Sequence, residues 1–126
     1  MNSKRKGTAG EHELETLLQG YGIRAYRNDQ IFKGGKGNPD VAAEIAGIHV
    51  HCEVKRVEKL NISAAMAQAE QDAAPDHLPA VAHRRNREKW LLTLPLVPFL
   101  NVLQGKGVFQ PDPFIQDLIL EQTEQQ

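Results

Sequence analysis

Pro39-Asp40-Val41-Ala42-Ala43-Glu44-Ile45-Ala46-Gly47-Ile48-His49-Val50-His51-Cys52-Glu53-Val54-Lys55 is the stretch that decides the fold. Val41, Ala43 and Ile45, then Ile48, Val50, Cys52 and Val54, are apolar; Asp40, Ala42 and Glu44, then His49, His51, Glu53 and Lys55, stand between them. Strand side chains alternate between faces, so the pattern predicts two strands, each with one apolar face. If Ala46-Gly47 is a two-residue turn, facing residues have numbers summing to 93: Ile45 meets Ile48, Ala42 meets His51, and Asp40 meets Glu53. Ala-Gly is a poorer hairpin turn than Asn-Gly, and a three-residue loop would shift the register by one unless a bulge restored it.

This register sets two carboxylates against each other on one face, an arrangement that costs stability unless a cation sits between them. Lys55, two residues along the same face, is one such cation. A hard divalent ion is another: Mg²⁺ takes one or two carboxylates and keeps waters in its remaining positions. Metal coordination acidifies a bound water, and a neighbouring ammonium favours hydroxide, which together make a nucleophile for phosphorus. The competing reading is that Asp40 to Lys55 is the solvated face of an ordinary hairpin.

Working outward, Thr8-Ala9-Gly10-Glu11 has the form of a capping box, with Leu14, Leu17, Leu18 and Tyr21 following at helical spacing and Gly20 and Gly22 as a stop. Ile23 to Arg27 alternates like a short strand, and Lys33 to Pro39 is a glycine-rich loop. Asn61 to Ala74 predicts a second helix with Ile62, Ala65, Met66, Ala69 and Ala73 inward, ended by Pro75. Val81 to His83 and Trp90 to Leu94 read as strands joined by the charged turn Arg84 to Lys89, followed by a short helix around Pro98 to Gln104. Helix, strand, hairpin, helix and two strands predict an α/β fold with a mixed sheet. Residues 1–110 form the domain, and 111–126 an amphipathic helix (Phe114, Ile115, Leu118, Ile119) and tail.

At 126 residues the chain is long enough for a core without disulfide or structural zinc, and its only cysteine, Cys52, lies on the apolar strand face. A reducing compartment follows, the cytoplasm, because Gly7-Thr8-Ala9-Gly10-Glu11 stands where a signal peptide would be apolar. The most apolar segment, Trp90 to Leu103, is interrupted by Pro95 and Pro98 and is too short to span a bilayer. All 15 Lys and Arg precede residue 107, against twelve acids, so the body is +3; Asp112, Asp117, Glu121 and Glu124 make the tail −4. A mildly basic body is compatible with DNA.

Pro39-Asp40, twelve residues, then Glu53-Val54-Lys55, preceded by a helical Glu11, resembles the PD-(D/E)XK nucleases. Within them the chain is most similar to archaeal-type Holliday-junction resolvases and small phage endonucleases, from about Lys6 to Leu96. Lys6-Gly7 before Glu11, Gly34-Gly35 before Pro39, and Gln68-Ala69-Glu70 in the next helix agree in order. The resemblance implies a restriction-endonuclease-like three-layer core, a mixed sheet flanked by helices in the order αβββαβ, cutting DNA. It implies that Asp40 and Glu53 bind Mg²⁺ or Mn²⁺, with the Val54 carbonyl and Glu11 as further ligands and Lys55 orienting the attacking water. Gln68 falls where relatives place a glutamine near the acids, with Gln71 as its rival. A homodimer follows if the likeness to resolvases extends that far, the tail helix being a candidate contact.

Glu11 has a second role open to it, capping its helix through the Thr8 backbone N–H. For DNA contacts the candidates are Lys4, Arg5 and Lys6; Lys33, Gly34, Gly35 and Lys36 of the loop; and Arg84, Arg85 and Arg87 of the charged turn. A solvated loop and turn are the plain alternatives. Resolvases carry a serine before Pro-Asp, and residues 29–38 here contain none, so the expectation is a structure-directed or general DNA endonuclease. The rival functions are a catalytically silent DNA-binding module of the same fold and a purely structural subunit.

Overall fold

A computed structural model describes residues 3–27 and 37–108, with side chains of the first helix from residue 7 onward. In chain order the elements are α1 (Ser3–Gly20), β1 (Arg24–Arg27), β2 (Val41–Ile45), β3 (Ile48–Arg56), α2 (Ile62–Asp72), β4 (Leu78–Arg84), β5 (Leu91–Thr93) and α3 (Leu96–Leu103). The strands lie side by side as β1-β2-β3-β4-β5. Among the described residues only β3 and β4 are parallel, so the sheet is mixed, as the element order predicts.

Helix α1 begins five residues before Thr8, which corrects the capping-box reading. Thr8 is inside the helix, where Glu11 cannot be its N3 residue. The helix ends as anticipated: Gly22, at φ +76, lets its own N–H reach the Gln19 carbonyl and the Ile23 N–H reach that of Leu18, closing the last turn. Gly10 explains how α1 seats on the sheet, since a Cβ there would stand 3.1 Å from Cβ of Arg56 and 3.5 Å from Cγ1 of Val54.

The hairpin adopts the two-residue turn, with Ile45↔Ile48 and Ala42↔His51 facing each other. Both turn residues have positive φ, +52 at Ala46 and +81 at Gly47. Such a turn matches the twist of the strands, and at Ala46 it costs about 1–2 kcal/mol for a residue bearing a Cβ.

Each face of the sheet has its own cover. Leu14 of α1 packs with Ala25, Val41, Ala43, Val50, Cys52, Val54, Ala80 and Ala82, while Ala65 and Ala69 of α2 pack with Val81 on the opposite face. The small side chains of α2 bring its backbone close to β4, and Asn61 caps it by accepting from the Ala64 N–H at 3.0 Å. The helix stops at Asp72 rather than Ala74. Strand β4 is longer than Val81 to His83: it begins at Leu78 and includes Pro79, in the part of the strand that β5 does not flank and where a missing N–H is tolerated.

The solvated-face reading of β3 fails at its centre, where His51 is 1% and Glu53 4% exposed. Among the described residues no helix is long and apolar enough to cross a membrane. The loop candidates Lys33, Gly34, Gly35 and Lys36, the side chains of Lys4, Arg5 and Lys6, and the segment 111–126 with its expected amphipathic helix lie outside the described residues.

Candidate functional site

The β2–β3 ladder ends at Val41↔Cys52, one pair short of Asp40 and Glu53. Asp40 uses its side chain instead, its Oδ2 accepting from the Val54 N–H at 2.9 Å. That bond ties the end of β3 to the start of β2 and leaves the rest of the carboxyl facing Glu53, within hydrogen-bonding reach.

Glu53 is held from the other side by His51, two residues back on the same face, with Nε2 2.9 Å from Oε1. Burial alone would raise Glu53, but the His51 bond, the bond with Asp40 and the charges of His51 and Lys55 together bring it below the usual carboxylate range. Asp40 moves the other way, to about 7: burial raises it most, the Val54 bond opposes this, and the charges of Glu53 and Glu11 add to the rise. Two close carboxyls with one proton between them are the expected state of an acid pair short of cations.

Glu11 approaches from α1, near enough for its charge to act on Asp40, yet its Oε2 lies 3.6 Å from Nη2 of Arg27. Arg27 is only 8% exposed. Its Nη1 is 2.7 Å from Nε2 of His12, and its backbone N–H donates to Oε2 of the buried Glu15 at 2.8 Å. Among the described residues, no three His, Cys, Asp or Glu side chains form a ready-made metal cage. The donor set that exists is the Asp40–Glu53 pair, with Glu11 adding charge through its neighbourhood. Two adjacent carboxyls, one of which burial and the charges of Glu53 and Glu11 lead to keep a proton, fit a hard divalent ion, which needs no more than one or two from the protein.

Of the sequence candidates, Glu11, Asp40, Glu53 and Lys55 therefore share one neighbourhood. Val54 donates its N–H to Asp40 and sends its side chain into the core. Gln68 and Gln71 both lie on the exposed side of α2, without a hydrogen bond to another described residue. Arg84 folds away from solvent, its Nε 2.7 Å from Oε1 of Glu13 and its guanidinium 5.7 Å from the Trp90 ring centre. Arg85 is 3.9 Å from Glu88 and Arg87 sits exposed at the turn with φ +63, so those two remain as surface cations. Cys52 is an inert core thiol, pushed up to about 12 by burial and the nearby acids.

Two residues of this neighbourhood escape sequence reading. His51 lies on the face of Glu53 by simple alternation, but an assumed solvent face hides its role. Arg27 shares its face with the buried Ala25, and a buried arginine requires acids; Glu11 and Glu15, four apart on one helix, are the available pair.

No protein-family model and no curated protein matches the chain. Among solved structures it is similar to Hjc of Archaeoglobus fulgidus, a Holliday junction resolvase from an archaeal hyperthermophile, at 23% identity and TM-score 0.51, over 71% of this chain and 72% of that one. The fold is therefore the restriction-endonuclease-like α/β fold of that resolvase.

Proposed function

We propose that this chain is a divalent-metal-dependent endonuclease that hydrolyses DNA phosphodiester bonds, acting on branched or otherwise distorted duplex. The observation that carries the reading is the Asp40–Glu53 pair, short of positive charge and beside Lys55, on a resolvase-like fold. In this proposal Asp40 and Glu53 hold Mg²⁺ or Mn²⁺, with the Val54 carbonyl and the charge of Glu11 in support. When bound, the ion polarises a phosphoryl oxygen and acidifies a water.

The chain's own groups do the rest. Lys55, on the face of Glu53, orients the attacking water and offsets charge gathering on the phosphate. His51 fixes the rotamer of Glu53, and Arg27 fixes Glu11, so the acids meet the ion without reorganising. Arg87, exposed at the turn, supplies a phosphate contact. A homodimer, cutting two strands in symmetry, belongs to the same proposal; the exposed Leu92 of β5 and Leu96, Leu100 and Leu103 of α3 offer an apolar surface for it.

The test is a cleavage panel of four-way, flap, single-stranded, linear duplex and RNA substrates with Mg²⁺, Mn²⁺ or chelator, for wild type and Asp40→Ala. Metal-dependent nicking of branched DNA, lost in Asp40→Ala, is the expected result. Native-rate cutting by Asp40→Ala refutes the assignment. The pairing of Glu11 with Arg27 favours one rival, a silent DNA-binding module; tight DNA binding with no cleavage under any divalent ion would select it.

A further inference from the structure

The carboxyl ends of β3 and β4, the only parallel pair among the described residues, open on a cleft of about 190 Å³. In open α/β sheets this is where ligands characteristically bind. Its floor is His83, the partner of Lys55 across the β3–β4 ladder, so cleft and Lys55 are one strand spacing apart, ~4.8 Å. Paired residues of a parallel ladder point to one face. Glu53, Lys55 and His83 therefore share the face covered by α2, and Leu91, the partner of His83 on β5, shares it too.

The lining is mixed. Val57, Leu60 and Leu91 make an apolar wall, and Val57 and Leu91 are 36% and 49% exposed. His83 is lowered by burial and is tied to Oγ1 of Thr93 at 2.9 Å, so the floor is a neutral ring. At the rim Arg85 is balanced by Glu88, Glu58 accepts from the Asn86 N–H at 3.1 Å, and Lys89 forms no ion pair among the described residues. A cleft with this near-balance of charge is a poor phosphate track. It is also smaller than the ~300–1,000 Å³ of pockets that engulf a drug-sized ligand, so it admits one flat ring and no duplex.

We infer that this cleft holds one unpaired nucleobase of the DNA strand whose backbone passes Lys55, the ring lying against Val57, Leu60 and Leu91 with Lys89 toward the adjoining phosphate. The inference rests on the nuclease reading and deepens it, because a base can enter only where the duplex is open. Preference for branched or frayed DNA then comes from this chain's own β3–β4 end.

The experiment is anisotropy binding of blunt duplex and of the same duplex with an unpaired branch, in Ca²⁺ and again in chelator, for wild type and the double variant Val57→Asn, Leu91→Asn. Both positions are exposed and the changes are neutral, so folding and general attraction to DNA stay the same. The expected result is about a fivefold or greater loss of affinity for branched DNA, with blunt duplex within about twofold. A fluorescent adenine analogue in the branch should change its emission on binding wild type and not the variant. Equal losses on both DNAs, no loss, or an unchanged analogue signal would each overturn the cleft while leaving the cleavage reading intact. Wild type that binds and cuts no DNA overturns both.

Discussion

The Asp40–Glu53 pair and the single acid Glu13 sit against the same sheet and are treated in opposite ways. Glu13 is surrounded by donors: Arg84 at 2.7 Å, Arg56 at 3.5 Å and the Trp90 indole N–H at 3.2 Å. Although burial pushes its pKa up, the bond to Arg84 and the charges of Arg84 and Arg56 carry it below the usual range. Asp40 is raised to about 7, by burial first and then by the charges of two acidic neighbours, with one backbone N–H to oppose them. Charge clusters that only hold a fold are oversupplied with partners. A cluster left short of cations is poised to take one, and such imbalance marks candidate functional sites.

The sharpest way to break this contrast is to remove one acid from each cluster. Asp40→Ala should lower metal-dependent cleavage by ~10³-fold or more, the several kcal/mol that a metal-bound transition state loses. Glu13→Ala should leave cleavage within about twofold and instead lower stability by ~1–2 kcal/mol, because Arg84 and Trp90 lose their acceptor. Urea titrations and single-turnover rates on both variants check it, and equal rate losses would erase the distinction.

Next in size is Arg27→Met. Removing a buried guanidinium from Glu11 and His12 should destabilise by ~1–3 kcal/mol in chelator, because the half-buried Glu11 loses its cation while Glu15 keeps the Arg27 backbone N–H. Bound Mn²⁺ should recover part of this, since the ion replaces the missing charge. A melting-temperature loss that Mn²⁺ leaves untouched would separate Glu11 from the metal neighbourhood.

A smaller effect is expected for His51→Leu, which keeps the volume and deletes the bond to Glu53. Mn²⁺ affinity by titration calorimetry should weaken ~10–100-fold, as for other partners that orient metal ligands. His51→Gln, which can still donate to Glu53, should restore most of it. Unchanged affinity in His51→Leu would make His51 a mere core residue.

Why some of this was legible and some was not follows from particular residues. Alternation and Ala46-Gly47 give the hairpin register directly, because a one-residue slip would turn every apolar side chain outward. The same logic leaves a solvated second face open beside the carboxylate reading, since one strand pair in isolation cannot reveal that β4 and α2 bury His51 and Glu53. The start of α1 was invisible for another reason: Ser3 to Gly7 carries charge without an apolar stripe, and Thr8-Ala9-Gly10-Glu11 imitates a cap inside the helix. Leu78-Pro79-Ala80 hid half of β4, as proline argues against a strand until the missing neighbour is known. Arg84 read as a surface cation because Glu13, its partner, is 71 residues away in sequence.

The smallest expected effect is the one most specific to the acid pair. In chelator the Asp40 carboxyl is raised from 3.8 to about 7 on folding, so its contribution to stability is full below pH ~4 and is lost as pH rises through about 7. Glu53 is shifted down from 4.5, so its contribution is present above that value and lost as pH falls below it. Between pH 5 and 8 the Asp40 effect therefore decides the slope. Asp40→Asn keeps an acceptor for the Val54 N–H and removes the titration. Wild type should lose ~1–2 kcal/mol relative to Asp40→Asn across that range, less than the full shift implies because the pair shares its proton and remains partly in water. Other groups titrate alike in both proteins, so the difference between their melting curves isolates the pair. Saturating Mg²⁺ should reverse the difference at pH 8 by favouring two ionised carboxylates in wild type alone. Melting curves that stay parallel from pH 5 to 8, with and without Mg²⁺, would show that Asp40 and Glu53 are as well neutralised as Glu13.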